Sequence, residues 1–250
     1  MSKKPAPSPA ARPGAKPPKL RLPPADRERL IIDGAIAYFS EVGFSGQTRE
    51  LSKRLGITQP LLYRYFANKQ ALIERVYQTV FEGRWNPAWI TLLQDRSQPL
   101  RERLIEFYRL YAAATYRPEW IRIYMQAGLS DPTLNRRYIQ RVRRELLPVY
   151  CRELRHACGL PDTDAEVVEQ ETEFVWALHG GIFYMALRQH VYKLRINVDF
   201  MEHVSWVVEN FLAGARTTYP QLLARYAPAA LGGITPKDAG TPRPRVSAKK

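Results

Sequence analysis

The stretch "TRELSKRLGITQPLLYRYF", residues 48–66, decides how this chain folds. Its first eight residues carry Leu51 and Leu55 at helical spacing, with Thr48 as the expected N-cap and Gly56 as the terminator. A second short helix follows, with Pro60 suited to a first-turn position. A residue before proline avoids the helical region, so Gln59 rather than Thr58 is the expected cap. Leu51, Leu55, Ile57 and Leu62 can pack the two helices together, leaving Arg49, Lys53, Gln59, Arg64 and Tyr65 outside. Two short helices about a glycine-centred turn have the form of a helix-turn-helix, which presents the amino end of its second helix to a major groove.

The flanking sequence extends this into a unit of three or four helices over residues 25–85. Upstream, "DRERLIIDGAIAYFSEVGF" places Leu30, Ile31, Ala35, Tyr38, Phe39 and Val42 at spacings of three and four, closed by Gly43 as a left-handed cap. Downstream, Asn68 can cap "NKQALIERVYQTVFEGRW". Beyond Trp85 the helices lengthen, and the spacing predicts them at 99–115, 118–129, 132–157, 164–192 and 199–218. No alternating β-branched run interrupts them, so the fold class is all-α, with a larger helical domain over 86–220. Residues 1–24 and 221–250 read as basic, Pro-rich tails, the first disordered and the second mostly so.

The net charge of +14 points to a polyanionic partner, yet its distribution matters more than its total. Residues 1–24 hold six basic side chains and no acid, and residues 237–250 hold five against one. Most of the excess therefore lies in the tails, where a solvated chain attracts phosphates without selectivity. No apolar run of roughly 20 residues suggests a membrane helix and no signal-like h-region opens the chain, so the expected location is cytoplasmic. Cys151 and Cys158 sit seven residues apart, about 10 Å along a helix, too far for a disulfide. They read as small buried hydrophobes.

Residues 27–80 resemble the DNA-binding domain of the TetR/AcrR family of transcriptional regulators. The resemblance rests on "FSEVGF", Thr48, "ELSKRLGI", "TQPLLYRYF" and "NKQALIERV" at the family spacing. Two positions depart from the pattern: Ser52 stands where the family usually has alanine, and Gln47 where a second threonine often precedes Thr48. The Ser52 hydroxyl is expected to bond its own helix backbone. By resemblance, Thr48 and Lys69 meet DNA phosphates and Tyr63 and Tyr65 lie along them, contacts that position without specifying sequence. Arg49 and Gln59 have the chemistry to read guanine and adenine edges, and Pro60 and Leu61 can touch thymine methyls. Thr58 completes the start of the reading helix, and Arg64 takes a base or phosphate role.

For the remaining helices the resemblance implies an effector-binding, homodimeric regulatory domain. The expected dimer helices are 164–192 and 199–218, with Val204, Val207, Val208, Phe211, Leu212 and Ala215 on one face, and Gly180–Gly181 marking a close helix approach. Trp120, Tyr124, Met125, Trp176, His179, Phe183 and Tyr184 are the candidate effector pocket, although aromatic residues at this spacing also build ordinary cores. Seven arginines between 136 and 155 and six acids between 162 and 173 read as charge pairing on a solvated face. His179 and His190 lie about 16 Å apart along a helix, too far to share a metal. No Cys/His cluster, phosphate loop or nucleophile elbow is present, so no catalytic residue, metal or cofactor is expected. The expectation is a DNA-binding regulator, a repressor released from a palindromic operator by a small effector. The alternatives are a transcriptional activator and a basic protein that binds nucleic acid without selectivity through its tails.

Overall fold

A computed structural model describes residues 23–233 and contains helices and connecting loops, with no strand among the described residues. Both basic extremes, 1–22 and 234–250, lie outside the described residues, and with them the disorder expected there. No described helix is long and apolar enough to cross a membrane.

The first helix, α1 (Pro24–Val42), buries Ile31, Ile32, Ala35, Tyr38 and Phe39, while Leu30 and Val42 stay exposed at the margins of the expected stripe. It ends at Gly43, whose φ of 76° is open to glycine. α2 (Thr48–Arg54) and α3 (Gln59–Tyr65) follow, joined through Gly56 at φ 63°. A side chain at Gly34 of α1 would place its Cβ 2.2 Å from Leu55 Cδ2, so glycine there lets the end of α2 seat against α1. Leu51 and Leu62 lock α2 to α3 at 0% and 1% exposure. The Asn68 carboxamide caps α4 (Lys69–Val80) by accepting the Ala71 N–H at 2.8 Å.

The larger domain departs from the sequence expectation at four places. First, the 82–94 region is structured: a 3₁₀ turn at Glu82–Arg84 leads to α5 (Ala88–Gln94), which buries Trp89 and Leu93. α6 (Leu100–Thr115) and α7 (Pro118–Ser130) then run as expected. Second, the single helix expected at 132–157 is divided into α8 (Thr133–Arg141), a π turn at Val142–Leu146 and α9 (Leu147–Ala157). Pro148 has no N–H for the helix ladder, and the widened turn absorbs that missing bond.

Third, α10 (Glu169–His190) begins five residues later than the acidic run suggested. The loop before it is held by buried polar chemistry rather than by solvated charge pairs. Arg155 meets both oxygens of Glu171, at 2.6 and 2.9 Å, and donates to the carbonyls of Ala165 and Glu166. Glu171 also accepts from the Tyr219 hydroxyl at 2.7 Å and from the Val168 N–H at 3.1 Å. Arg155 and Glu171 are 3% and 0% exposed, so removing either partner would strand a buried charge, at a cost of roughly 3–5 kcal/mol. The Arg143–Glu169 pair, by contrast, is exposed as expected. Fourth, α11 (Phe200–Tyr226) does not stop near 218. It continues through Pro220, buries Tyr219 and Leu223 fully, and leads to a 3₁₀ turn at Pro228–Leu231 with Ala230 and Leu231 buried. The stretch 221–231, expected to belong to a mostly disordered tail, is therefore part of the core.

Cys151 and Cys158 are free and buried, and burial pushes their thiols up to about 12 and about 11. Both are protonated, inert packing residues at neutral pH.

Candidate nucleic-acid interface and effector pocket

The amino ends of α2 and α3 meet at one hydroxyl. Thr48 Oγ1 lies 2.9 Å from the Tyr63 hydroxyl and accepts from Gln59 Nε2 at 3.2 Å. Thr48 is the first residue of α2, and Gln47 takes the cap position without a side-chain cap bond. Thr48 is thus not the cap, and its hydroxyl serves the α2–α3 contact. A second correction concerns α3. Thr58 is the cap, accepting the Leu61 N–H at 3.3 Å, with Gln59 first and Pro60 second in the helix. A hydroxyl reaches that N–H more readily than a longer amide. Proline in the first turn removes no intrahelical bond, and Gln59 is left free to reach Thr48.

Around this node the polar side chains point outward. Arg49, Thr58, Pro60, Tyr63 and Arg64 are exposed, and Gln59, Leu61 and Lys69 are half-buried. Arg49, Lys53, Arg64 and Lys69 form no ion pair among the described residues. Arg54 is different: Glu41 holds it at 2.6 Å and Glu50 at 3.7 Å, and it lies over the Tyr38 ring. Arg54 is therefore neutralised, while the other cations remain available to phosphate. Tyr65 is half-buried like Gln59 and Leu61, on a different side of α3 from Tyr63. It packs against the core, because two residues along a helix turn a side chain by about 200° from Tyr63. The Ser52 hydroxyl has no hydrogen-bond partner although the residue is 3% exposed, so the expected bond to its own helix is absent.

In the larger domain a pocket of about 360 Å³ lies between α6, α7, α8 and α10. Five of the seven expected residues line it: Trp120, Tyr124, Trp176, His179 and Phe183. Met125 is not among the lining residues, and Tyr184 is 51% exposed with Arg188 against its ring. Sequence reasoning missed Tyr111, Tyr138, Ile139, Val142 and Glu173, and placed Gly180 elsewhere. The aromatic spacing in 107–111 and the apolar spacing in 138–142 carry a signal for the first four, but it does not distinguish wall from core. Trp120 and Tyr124 stack at 5.0 Å and 10°. His179 touches Tyr108, Tyr111, Tyr116 and Trp176, and burial lowers its pKa to about 4, so the ring is neutral.

The pocket wall is also the seat of α4. Phe81, at the end of α4, packs against Trp120 at 5.0 Å and Tyr138 at 5.7 Å. Next to Tyr138, Arg137 reaches Glu74 of α4 at 2.8 Å and Glu82 at 2.8 Å, with its guanidinium over the Tyr77 ring. The pocket wall thus contacts the end of α4, the last helix of the N-terminal unit.

The expected close helix approach at Gly180–Gly181 is met at Gly181, where a Cβ would lie 3.4 Å from Val207 Cγ1 of α11, but not at Gly180. Gly180 borders the pocket, and nothing lies within 4 Å of a Cβ placed there. The α11 face built on Val204, Val208 and Ala215 turns into the chain's own core. The outward surface of the α10–α11 pair instead presents Ala177, Gly181, Tyr184, Trp206, Ala213 and Gly214.

Residues 31–76 match the family described as "Bacterial regulatory proteins, tetR family". The class A tetracycline repressor from transposon 1721 of Escherichia coli is 31% identical over 85 residues, covering 31% of this chain and 39% of that repressor. The class H repressor of Photobacterium damsela subsp. piscicida gives the same identity and coverage. The similarity thus spans well under two thirds of these curated relatives. Among solved structures, a TetR-like regulator from Rhodococcus sp. RHA1 superposes with a TM-score of 0.58 at 21% identity, covering 78% of this chain and all of that one. A Streptomyces coelicolor regulator gives 0.54 at 18%, covering 84% and 90%. At these identities the structural likeness speaks to the fold alone.

Proposed function

We propose that this chain, a TetR-family transcriptional regulator by its residues 31–76, is a cytoplasmic homodimeric repressor that a small molecule releases from a palindromic operator. The observation that carries the reading is the node at Thr48. It holds the Gln59 amide at the tip of α3, with the unpaired cations Arg49, Arg64 and Lys69 on the same unit. That arrangement separates side chains that can hold phosphates from an amide that can read adenine. Tyr63 and Thr58 flank the node, and Pro60 and Leu61 offer apolar contact to thymine.

Two copies would join through the outward face of α10 and α11, where small residues alternate with Tyr184 and Trp206. A two-fold axis there would set two copies of α3 against successive half-sites. A ligand in the aromatic pocket would shift Trp120 or Tyr138, move Phe81 and Arg137, and reorient α4. Such a ligand weakens DNA binding only to the degree that it favours the reoriented state.

The test compares Gln59→Ala with Lys69→Ala on an operator enriched from random DNA. The amide variant should lose about tenfold on the operator and little on unrelated DNA, and the lysine variant should weaken both alike. Equal losses on both DNAs from both variants would remove the assigned roles.

A further inference from the structure

The lining of the effector pocket has a chemical bias that narrows its ligand. Six of its side chains are neutral aromatics: Tyr111, Trp120, Tyr124, Tyr138, Trp176 and Phe183. No lysine or arginine is among the lining residues, and His179 adds no charge at neutral pH because burial holds its pKa near 4. The one ionisable group of fixed sign is Glu173, one turn before Trp176 on α10. Glu173 is exposed at the pocket rim and has no hydrogen bond or ion pair among the described residues. Its helix neighbours behave differently, since Glu169 pairs with Arg143 and Glu171 with Arg155.

Aromatic faces carry negative potential and attract a cation within about 6 Å of a ring centroid. An unpaired carboxylate beside such faces reinforces that potential, and an anion entering the same pocket would meet no compensating charge. One of the Tyr111 and Tyr138 hydroxyls donates to the other at 2.6 Å, and Trp120 Nε1 is buried with no acceptor. The pocket therefore combines a neutral aromatic lining with a free carboxylate at its rim.

We infer that the effector is an aromatic organic cation, with its charged end between Trp176 and Glu173 and its ring among Trp120, Tyr124 and Phe183. The inference rests on the reading of this pocket as the effector site, and it can fail separately from that reading.

The experiment uses the full chain and three probes of nearly equal size: (4-hydroxyphenyl)trimethylammonium, its neutral isostere 4-tert-butylphenol, and the anion 4-hydroxybenzoate. Binding is read by calorimetry and by quenching of tryptophan emission. The cation should bind at least about tenfold more tightly than the isostere, and 4-hydroxybenzoate should not bind. Glu173→Gln should remove most of that preference while leaving the tert-butylphenol affinity unchanged, and Trp176→Leu should weaken both probes. Tighter binding of the isostere or the anion, an unaltered preference in Glu173→Gln, or no cation binding at millimolar concentration would overturn the inference. Tighter binding of the isostere with release of DNA would leave the effector site standing and reject only the ligand class. Cation binding without release of DNA would support the ligand class and count against the regulatory role.

Discussion

Thr48 Oγ1 and the Tyr63 hydroxyl lie 2.9 Å apart, which joins the first residue of one short helix to the middle of the next. The Gln59 amide shares the same oxygen. The three side chains assigned to phosphate and base contact are therefore one polar unit, braced before DNA arrives. Each of Thr48→Val and Tyr63→Phe should lower operator affinity by roughly three- to tenfold. The double variant should lose less than the product, with a coupling of about 1 kcal/mol. Anisotropy titrations of the four proteins measure this, and strictly additive losses would mean two independent contacts.

Ser52 stands at 3% exposure with an unbonded hydroxyl. Burying a hydroxyl without a partner costs on the order of 1 kcal/mol. Ser52→Ala should therefore raise Tm by about 2–4 °C, the usual yield of such a gain for a domain of this size. Calorimetric scans decide it, and a lower Tm would show that the hydroxyl is satisfied in solution.

His179 links the pocket to pH. Its folded pKa, lowered by burial from 6.5 to about 4, makes the unfolded chain the better proton acceptor between those values. Stability from this group is thus complete above pH 6.5 and is lost as pH falls toward 4, by up to about 3 kcal/mol. Denaturant unfolding across that window should show the decline, and His179→Phe should flatten it. A variant with the unaltered profile would place the sensitivity elsewhere.

Arg137 ties the pocket-lining helix to Glu74 and Glu82. In Arg137→Ala the pocket should bind its ligand within about twofold of the original affinity, because the guanidinium lies outside the lining. The ratio of operator affinities without and with ligand should shrink several-fold, since that ratio is the coupling between the sites. An unchanged ratio would show that the Arg137 ion pairs carry none of the coupling.

The DNA-facing unit was legible because its signals are local. Gly56, Asn68 and the Leu51/Leu62 spacing each specify structure within a few residues, and all of these hold in the fold. The errors there came from competition among local rules. Thr58 and Gln59 could both precede Pro60, and the hydroxyl won because the amide had a better partner in Thr48. The larger domain was less legible because its determinants are distant in sequence. Nothing near Glu171 announces that Arg155 and Tyr219 will bury it, and nothing near Leu223 announces that the segment beyond 220 packs on the core. Five pocket residues were visible as aromatic spacing, while Glu173 was hidden in an acidic run whose members have three different roles.

The central claim is sequence-selective DNA recognition by the α2–α3 unit, and selection from a random DNA pool tests it most directly. The full chain and a variant without residues 1–22 and 234–250 are each used to enrich bound fragments. Both should yield the same palindrome, with half-sites about one helical turn apart or a multiple of it, and should keep selectivity over scrambled DNA. No enriched sequence, or binding that disappears with the basic ends, would contradict the account and leave a non-selective, charge-driven binder.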